Sequence, residues 1–182
     1  VNKIYTGIGS REVPENVFEA MSTEAYHLAG KGYTLRSGGA KGSDSAFQWG
    51  HEYYYSDINA VITNQEIYIP WVNFKMEEYL STGSNIIPQH LNTACMEIAA
   101  SVHPHWGRCS AGAKKLHARN VCQILGDGLF LPSDFVLFYA KEVNGVVQGG
   151  TATAVNIARK FNVPTINMFY PDWSDKLEEL GL

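Results

Sequence analysis

Two rhythms of apolar residues alternate along the chain. Short, nearly continuous apolar runs give way to stretches in which apolar residues recur every three or four positions. "KIYTGIG", Lys3 to Gly9, has the pattern of a short buried strand ending in glycine. Pro14 opens a helical stretch in which Val17, Met21, Ala25 and Leu28 share one face, and Gly30 and Gly32 stop it. "YTLRSGG" predicts a second strand, and Ser43 or Asp44 is placed to cap the helix that carries Ala46, Phe47 and Gly50. Strand–helix–strand–helix with glycine turns is the pattern of a parallel sheet covered by helices.

The pattern continues downstream. Asn64–Trp71 predicts a third strand, and Lys75–Gln89 a short helix and a loop. Helices are predicted over Leu91–Val102 and Ala113–Leu125, with the loop "HPHWGRCSAG" between them. Ser133–Ala140 is the clearest strand. A glycine-rich loop, "NGVVQGG", follows it, and then a helix through Ala154, Ile157, Ala158 and Phe161. Val163–Phe169 predicts the last strand, and Trp173 and Leu177 would dock a short terminal helix. No repeat, low-complexity segment or interdomain linker interrupts the order. The expectation is one α/β domain over residues 1–182: a Rossmann-like, open, mostly parallel sheet with helices on both faces.

Composition narrows the partners. The 182 residues suffice for one buried core, and the net charge of −4 advertises no broad basic face for nucleic acid. No run is long and apolar enough to span a bilayer, and no basic-then-apolar leader opens the sequence, so no membrane partner is expected. Cys95, Cys109 and Cys122 are odd in number and lack a CxxC, which predicts a reducing, cytoplasmic setting without a disulfide framework.

Chemistry concentrates in three glycine-rich turns that follow predicted strands: Gly7 to Arg11, Ser37 to Asp44, and Gly149-Gly150-Thr151. Loops leaving the carboxyl ends of parallel strands gather in one crevice. There, glycines let the backbone approach a ligand, and amide groups at a helix start favour an anion. Gly9, Ser10, Ser37, Gly38, Gly39, Gly42, Ser43, Thr151 and Thr153 supply backbone and hydroxyl groups, while Arg11, Arg36 and Lys41 supply positive charge. No Walker loop or complete GxGxxG is present, which argues against ordinary NTPase or NAD chemistry. In "KKLHARNVCQIL", Arg119 can fork onto a phosphate if the apolar face of the helix packs on the sheet.

Other features read as structural. His103, His105 and Cys109 match no strong zinc spacing, so a loop with two surface histidines is expected and no metal. Tyr53, Tyr54 and Tyr55 could stack bases, but packing at a helix end is the expectation. Asp44 suits a helix cap better than a general base.

"IYTGIGSRE", "LAGKGYTLRSGGAKGSDSAFQWG", "HARNVCQIL", "DFVLFY" and "GGTATAVNIARKFNVPTINM", in this order, resemble the Rossmann-like domain of DNA-processing protein A. The wider likeness is to the superfamily holding the LOG-type nucleotide phosphoribohydrolases and nucleotide-sensing SLOG domains. The resemblance covers most of the chain, with 59–111 as a divergent insert or lid-like region. It implies a pocket lined by Ser10, Arg11, Ser37, Gly38, Lys41, Gly42, Asp44, Arg119 and Asn120. In DNA-processing protein A such a pocket loads single-stranded DNA. In LOG-type enzymes a glutamate serves cleavage of the N-glycosidic bond, and its position here is Asn156. An amide cannot handle a proton as a carboxylate does. That chemistry is therefore expected to be absent unless Asp44 or Glu12 substitutes.

The resulting expectation is a protein that binds a nucleotide or nucleotide-derived small molecule without a cofactor. Two alternatives stand beside it: a single-stranded DNA binder whose groove a homodimer completes, and an N-glycosidic hydrolase with a relocated carboxylate.

Overall fold

The computed structural model describes residues 3–71, 74, 85–88 (as backbone) and 93–182. Among these residues, six strands form one parallel sheet: β1 (Ile4–Gly9), β2 (Thr34–Ser37), β3 (Gln65–Ile69), β4 (Asn85–Pro88), β5 (Phe135–Tyr139) and β8 (Thr165–Asn167). Their order across the sheet is β4-β3-β2-β1-β5-β8, and every pairing is parallel. The chain thus winds outward from β1 to β4, then returns to the other side of β1. The place where the winding reverses lies between β1 and β5.

Helices cover both faces. The face of α1 (Glu15–Gly30), α2 (Ser43–Asp57) and α6 (Trp173–Glu179) buries Tyr5, Met21, Leu28, Leu35, Phe47, Leu137 and Leu177 together. On the other side, α3 (Thr93–Val102), α4 (Ala111–Leu125) and α5 (Thr151–Lys160) pack Ile8, Ala99, Val121, Ile124, Phe138 and Ile157. Successive strand residues point to opposite faces, which is why Tyr5 joins one core and Ile8 the other. Buried hydroxyls fasten β1 to α4: Thr6 Oγ1 donates to the Gln123 carbonyl at 2.6 Å and lies 2.8 Å from Ser133 Oγ. No helix among the described residues is long and apolar enough to cross a membrane.

The α/β expectation holds, and four local readings change. Asn85–Pro88, expected within a short helix and loop, is a strand beside β3; residues 75–84 and 89 of that reading lie outside the described residues. "NGVVQGG" is not a plain loop. Glu142–Val143 and Val146–Val147 pair as an antiparallel hairpin, β6–β7. Asn144 (φ 51°) and Gly145 (φ 78°) form its two-residue turn, the left-handed geometry that an Asn-Gly pair accepts most readily.

Neither Ser43 nor Asp44 caps α2. The N-cap is Gly42, without a side-chain hydrogen bond. Arg36 does not add charge to the crevice either. It alternates with Leu35 along β2, is 1% exposed, and its Nε meets Glu66 Oε2 at 2.7 Å while its Nη1 donates to the Leu131 carbonyl at 2.6 Å.

Candidate functional site

The carboxyl ends of β1, β2 and β5 bring most of the expected site residues to one edge of the sheet. Gly9 pairs in register with Tyr139, and the Ser10 amide donates to the Tyr139 carbonyl at 2.8 Å. The turn after β1 therefore sits at the point where the winding reverses, the usual ligand crevice of an open α/β sheet. The turn after β2 closes upon it. Ser43 donates twice to the Ser10 carbonyl, through its amide at 3.0 Å and its Oγ at 2.9 Å. Ser37 Oγ donates to the Gly7 carbonyl at 2.7 Å, and Ser45 Oγ to the Ala40 carbonyl at 2.8 Å.

Glycine is required where these two turns touch. A Cβ on Gly42 would stand 2.4 Å from the Arg11 carbonyl oxygen, and its φ of 82° is unfavourable for a side chain. A Cβ on Gly38 would stand 2.3 Å from Arg119 Nη1 and 2.7 Å from Asp44 Oδ2. The loop is thus folded tightly around an internal pair of charged groups.

Asp44 is the internal anion. It is 4% exposed, and burial pushes its carboxyl up to about 6. The Arg119 charge and the backbone amides of Ala40, Gly9 and Gly38 pull the other way without cancelling the burial. A carboxyl poised there can exchange a proton near neutral pH. Arg119, 6% exposed, enters from α4. Its Nη1 donates to the carbonyls of Gly38 at 2.6 Å and Tyr68 at 3.0 Å, its Nε donates to Asn120 Oδ1 at 3.2 Å, and Phe74 lies under the guanidinium at 5.7 Å. Arg119 therefore ties the end of β2 to the end of β3, and Asn120 orients it. Burial lowers the pKa of Arg119, Asp44 raises it again, and the neighbouring positive charge of Arg11 lowers it further.

Arg11, Glu12 and Lys41 are exposed at this edge, and the Glu12 amide donates to Ser10 Oγ at 3.2 Å. Gly39 is half-buried and bears φ 63°.

The third turn is built differently. The β6–β7 hairpin separates it from β5, and α5 starts directly after Gly150. Gly149 and Gly150 are exposed, and a Cβ on either would meet nothing within 4 Å. Thr151 and Thr153 are buried in the first turn of α5, with Asn156 half-buried farther along it. The start of this helix is open.

Other expectations find other places. Tyr53, Tyr54 and Tyr55 lie in the last turns of α2; Tyr54 packs edge-on against Tyr26 at 5.3 Å, and Tyr55 bonds Asn64. A cavity of about 420 Å³ lies among Glu24, Tyr54, Trp173 and Leu182, away from all of the glycine turns. In the "HPHWGRC" loop, His105 is exposed, whereas His103 and Cys109 face His117 of α4. The sequence reading left His117 out of that group. A histidine fourteen positions from His103 joins it only because α3 and α4 pack side by side.

No family model matches the chain, and no curated protein matches it. Solved structures do. DNA processing protein A from Helicobacter pylori, described for its unique single-stranded DNA binding mode, is similar over 99% of this chain and 74% of its own, with a TM-score of 0.58 and 17% identity. The structural-genomics target TM1055 is similar over 91% of this chain and 73% of its own, with a TM-score of 0.52 and 16% identity. The fold is therefore of a Rossmann-like type shared with these two structures.

Proposed function

We propose that the carboxyl edge of the sheet binds a phosphate-bearing ligand, a nucleotide or nucleotide-derived molecule. The observation that supports this reading is the meeting of two glycine turns at the reversal point, where Ser43 bonds the Ser10 carbonyl and Arg11 and Lys41 stand exposed at the same edge. Positive charge beside backbone turns at such an edge favours an anion. Arg11 supplies positive charge from the exposed side. The open start of α5 supplies amide groups, with Thr151 and Thr153 as hydroxyl donors. The tightly folded turn after β2 holds Arg119 and Asp44 in place, so its role is positioning. Glu12 remains an exposed neighbour of the crevice, and Gly9, Gly39 and Lys41 complete its rim.

Native mass spectrometry of gently purified protein, followed by denaturation and identification of what is released, tests this. A released nucleotide supports the reading. An empty protein that also fails to bind mono- and dinucleotides in titration refutes it. Progressive conversion of a released nucleotide to base and sugar phosphate, lost in Asp44→Asn with binding retained, would instead make Asp44 the carboxylate of an N-glycosidic hydrolase.

A second reading draws on the likeness to DNA processing protein A over nearly the whole chain: the same edge takes a phosphate of single-stranded DNA. A homodimer would extend the groove. Binding of labelled single strands that weakens steeply with salt, together with loss on Arg11→Ala, is expected on this reading.

A further inference from the structure

Outside the crevice, three side chains with metal-ligating atoms converge where α3 passes into α4. His103 follows α3, Cys109 follows a short 3-10 turn (Trp106–Arg108), and His117 projects from α4. One ligand atom from each lies within 4.8 Å of the others. Cys109 Sγ is 3.8 Å from either nitrogen of His103, and the rings of His103 and His117 are 4.4 Å apart. Tetrahedral zinc with ordinary Zn–N and Zn–S lengths places a sulfur and a nitrogen ligand about 3.6 Å apart. The unfilled cluster is therefore already near the required spacing.

Its hydrogen bonding also leaves room for a cation. His117 Nδ1 is buried and has no hydrogen-bond partner among the described residues. Buried imidazole nitrogens are ordinarily satisfied. Among the described residues, Cys109 Sγ makes, besides His103, one long contact to the His105 carbonyl at 3.6 Å. His103 Nδ1 accepts from the His105 amide at 3.1 Å, a contact that metal binding through this nitrogen would exchange for a stronger one. Trp106 flanks the cluster, 6.1 Å from His103 and 6.4 Å from His117 between ring centres.

We propose that His103, Cys109 and His117 bind one borderline-soft divalent cation, zinc or cobalt, with water in the fourth position. Two imidazoles and one thiolate select such a metal over magnesium or calcium, which prefer oxygen ligands. On binding, Cys109 gives its proton to solvent and the sulfur forms the metal bond. The metal would join the α3–α4 connection to the helix that delivers Arg119 two residues later, so the cation steadies a wall of the crevice from behind. This assignment is independent of what the crevice holds.

The test uses the full chain without a histidine tag, freed of metal by a chelator and titrated with cobalt(II). Expected are one cobalt per chain, a thiolate-to-cobalt charge-transfer band, displacement of that band by zinc, and quenching of Trp106 fluorescence that is lost in Trp106→Phe. Cys109→Ser should abolish the band, and His103→Gln and His117→Gln should each weaken binding by at least about tenfold. His105→Gln should leave it unchanged. Cys109 and His103 lie in the connection rather than the core, so their variants stay informative should His117→Gln fail to fold. Absence of the band from the full chain, or its persistence in Cys109→Ser, overturns the proposal.

Discussion

The turn after β2 and the turn before α5 share glycine, hydroxyl residues and a helix start, yet they are opposites. Gly38 to Asp44 is closed: its neighbours are the Arg11 carbonyl, Arg119 and Asp44, and a single Cβ would strike them. Gly149 to Thr151 is open, with nothing within 4 Å of where a Cβ would go on either glycine. In the first, glycine makes room for the protein's own charged groups. In the second, the room faces outward. The lesson is that a glycine-rich turn after a strand does not by itself reveal whether the ion it accommodates is internal or external. The two cases separate only when the surroundings of each glycine are known.

Substitutions can break that contrast. The largest effect is expected from Gly42→Ala, which forces a side chain onto the Arg11 carbonyl at positive φ; a loss of about 3 kcal/mol should appear in urea unfolding. Next comes Asp44. Its folded pKa of about 6 lies above the ordinary value of 3.8, so the folded state binds the extra proton between these values. The stability associated with Asp44 is fully present below about pH 4 and lost as pH rises through about 6, on the order of 3 kcal/mol. The difference between wild type and Asp44→Asn across pH 4–7 should show this slope. A difference flat with pH would mean that the buried carboxyl is not perturbed.

Arg11→Ala probes the binding side of the contrast. Arg11 is exposed, so unfolding should barely move, while affinity for an anionic ligand falls by about 1.5–3 kcal/mol. Unchanged affinity removes Arg11 from the site. The smallest stability effect is expected from Gly150→Ala. Its φ of −64° suits alanine and nothing crowds it, so stability should stay within about 1 kcal/mol of wild type. Any loss of affinity in this variant would come from the added methyl shielding the start of α5. A large loss of stability there would show that the open turn is packed after all.

What the sequence revealed and what it hid follow from range. Strand runs, helix faces and glycine turns are patterns within a few residues, and they yielded the α/β architecture and the gathering of Gly9, Ser10, Ser37, Gly38, Gly42, Asp44 and Arg119. Arg119 reaches the ends of β2 and β3 because the apolar face of α4 packs on the sheet beside them. The β6–β7 hairpin carried a local signal, Asn144-Gly145, that was overshadowed by the glycines after it. Arg36 looked available beside the glycines. Its strand parity instead turned it toward Glu66 and the Leu131 carbonyl. Asp44 looked like a cap because capping is the commonest use of an aspartate near a helix start. Its charge partner, Arg119, is supplied from another helix. His117 had no signal linking it to His103 and Cys109, because packing between α3 and α4 creates that neighbourhood.

The position of β1 has a consequence for the order in which the molecule can form. β1 pairs with β2 on one side and with β5 on the other, and its Ile4 amide donates to Asp134 at a separation of 130 residues. During synthesis, β1, α1, β2 and α2 can collapse together early, since their contacts are near in sequence. One edge of β1 then stays unpaired until β5 leaves the ribosome. Long-range closures of this kind are slow, and an exposed strand edge invites pairing with other chains. The strand pairing that completes the reversal point is thus the same event that shields the open edge of β1.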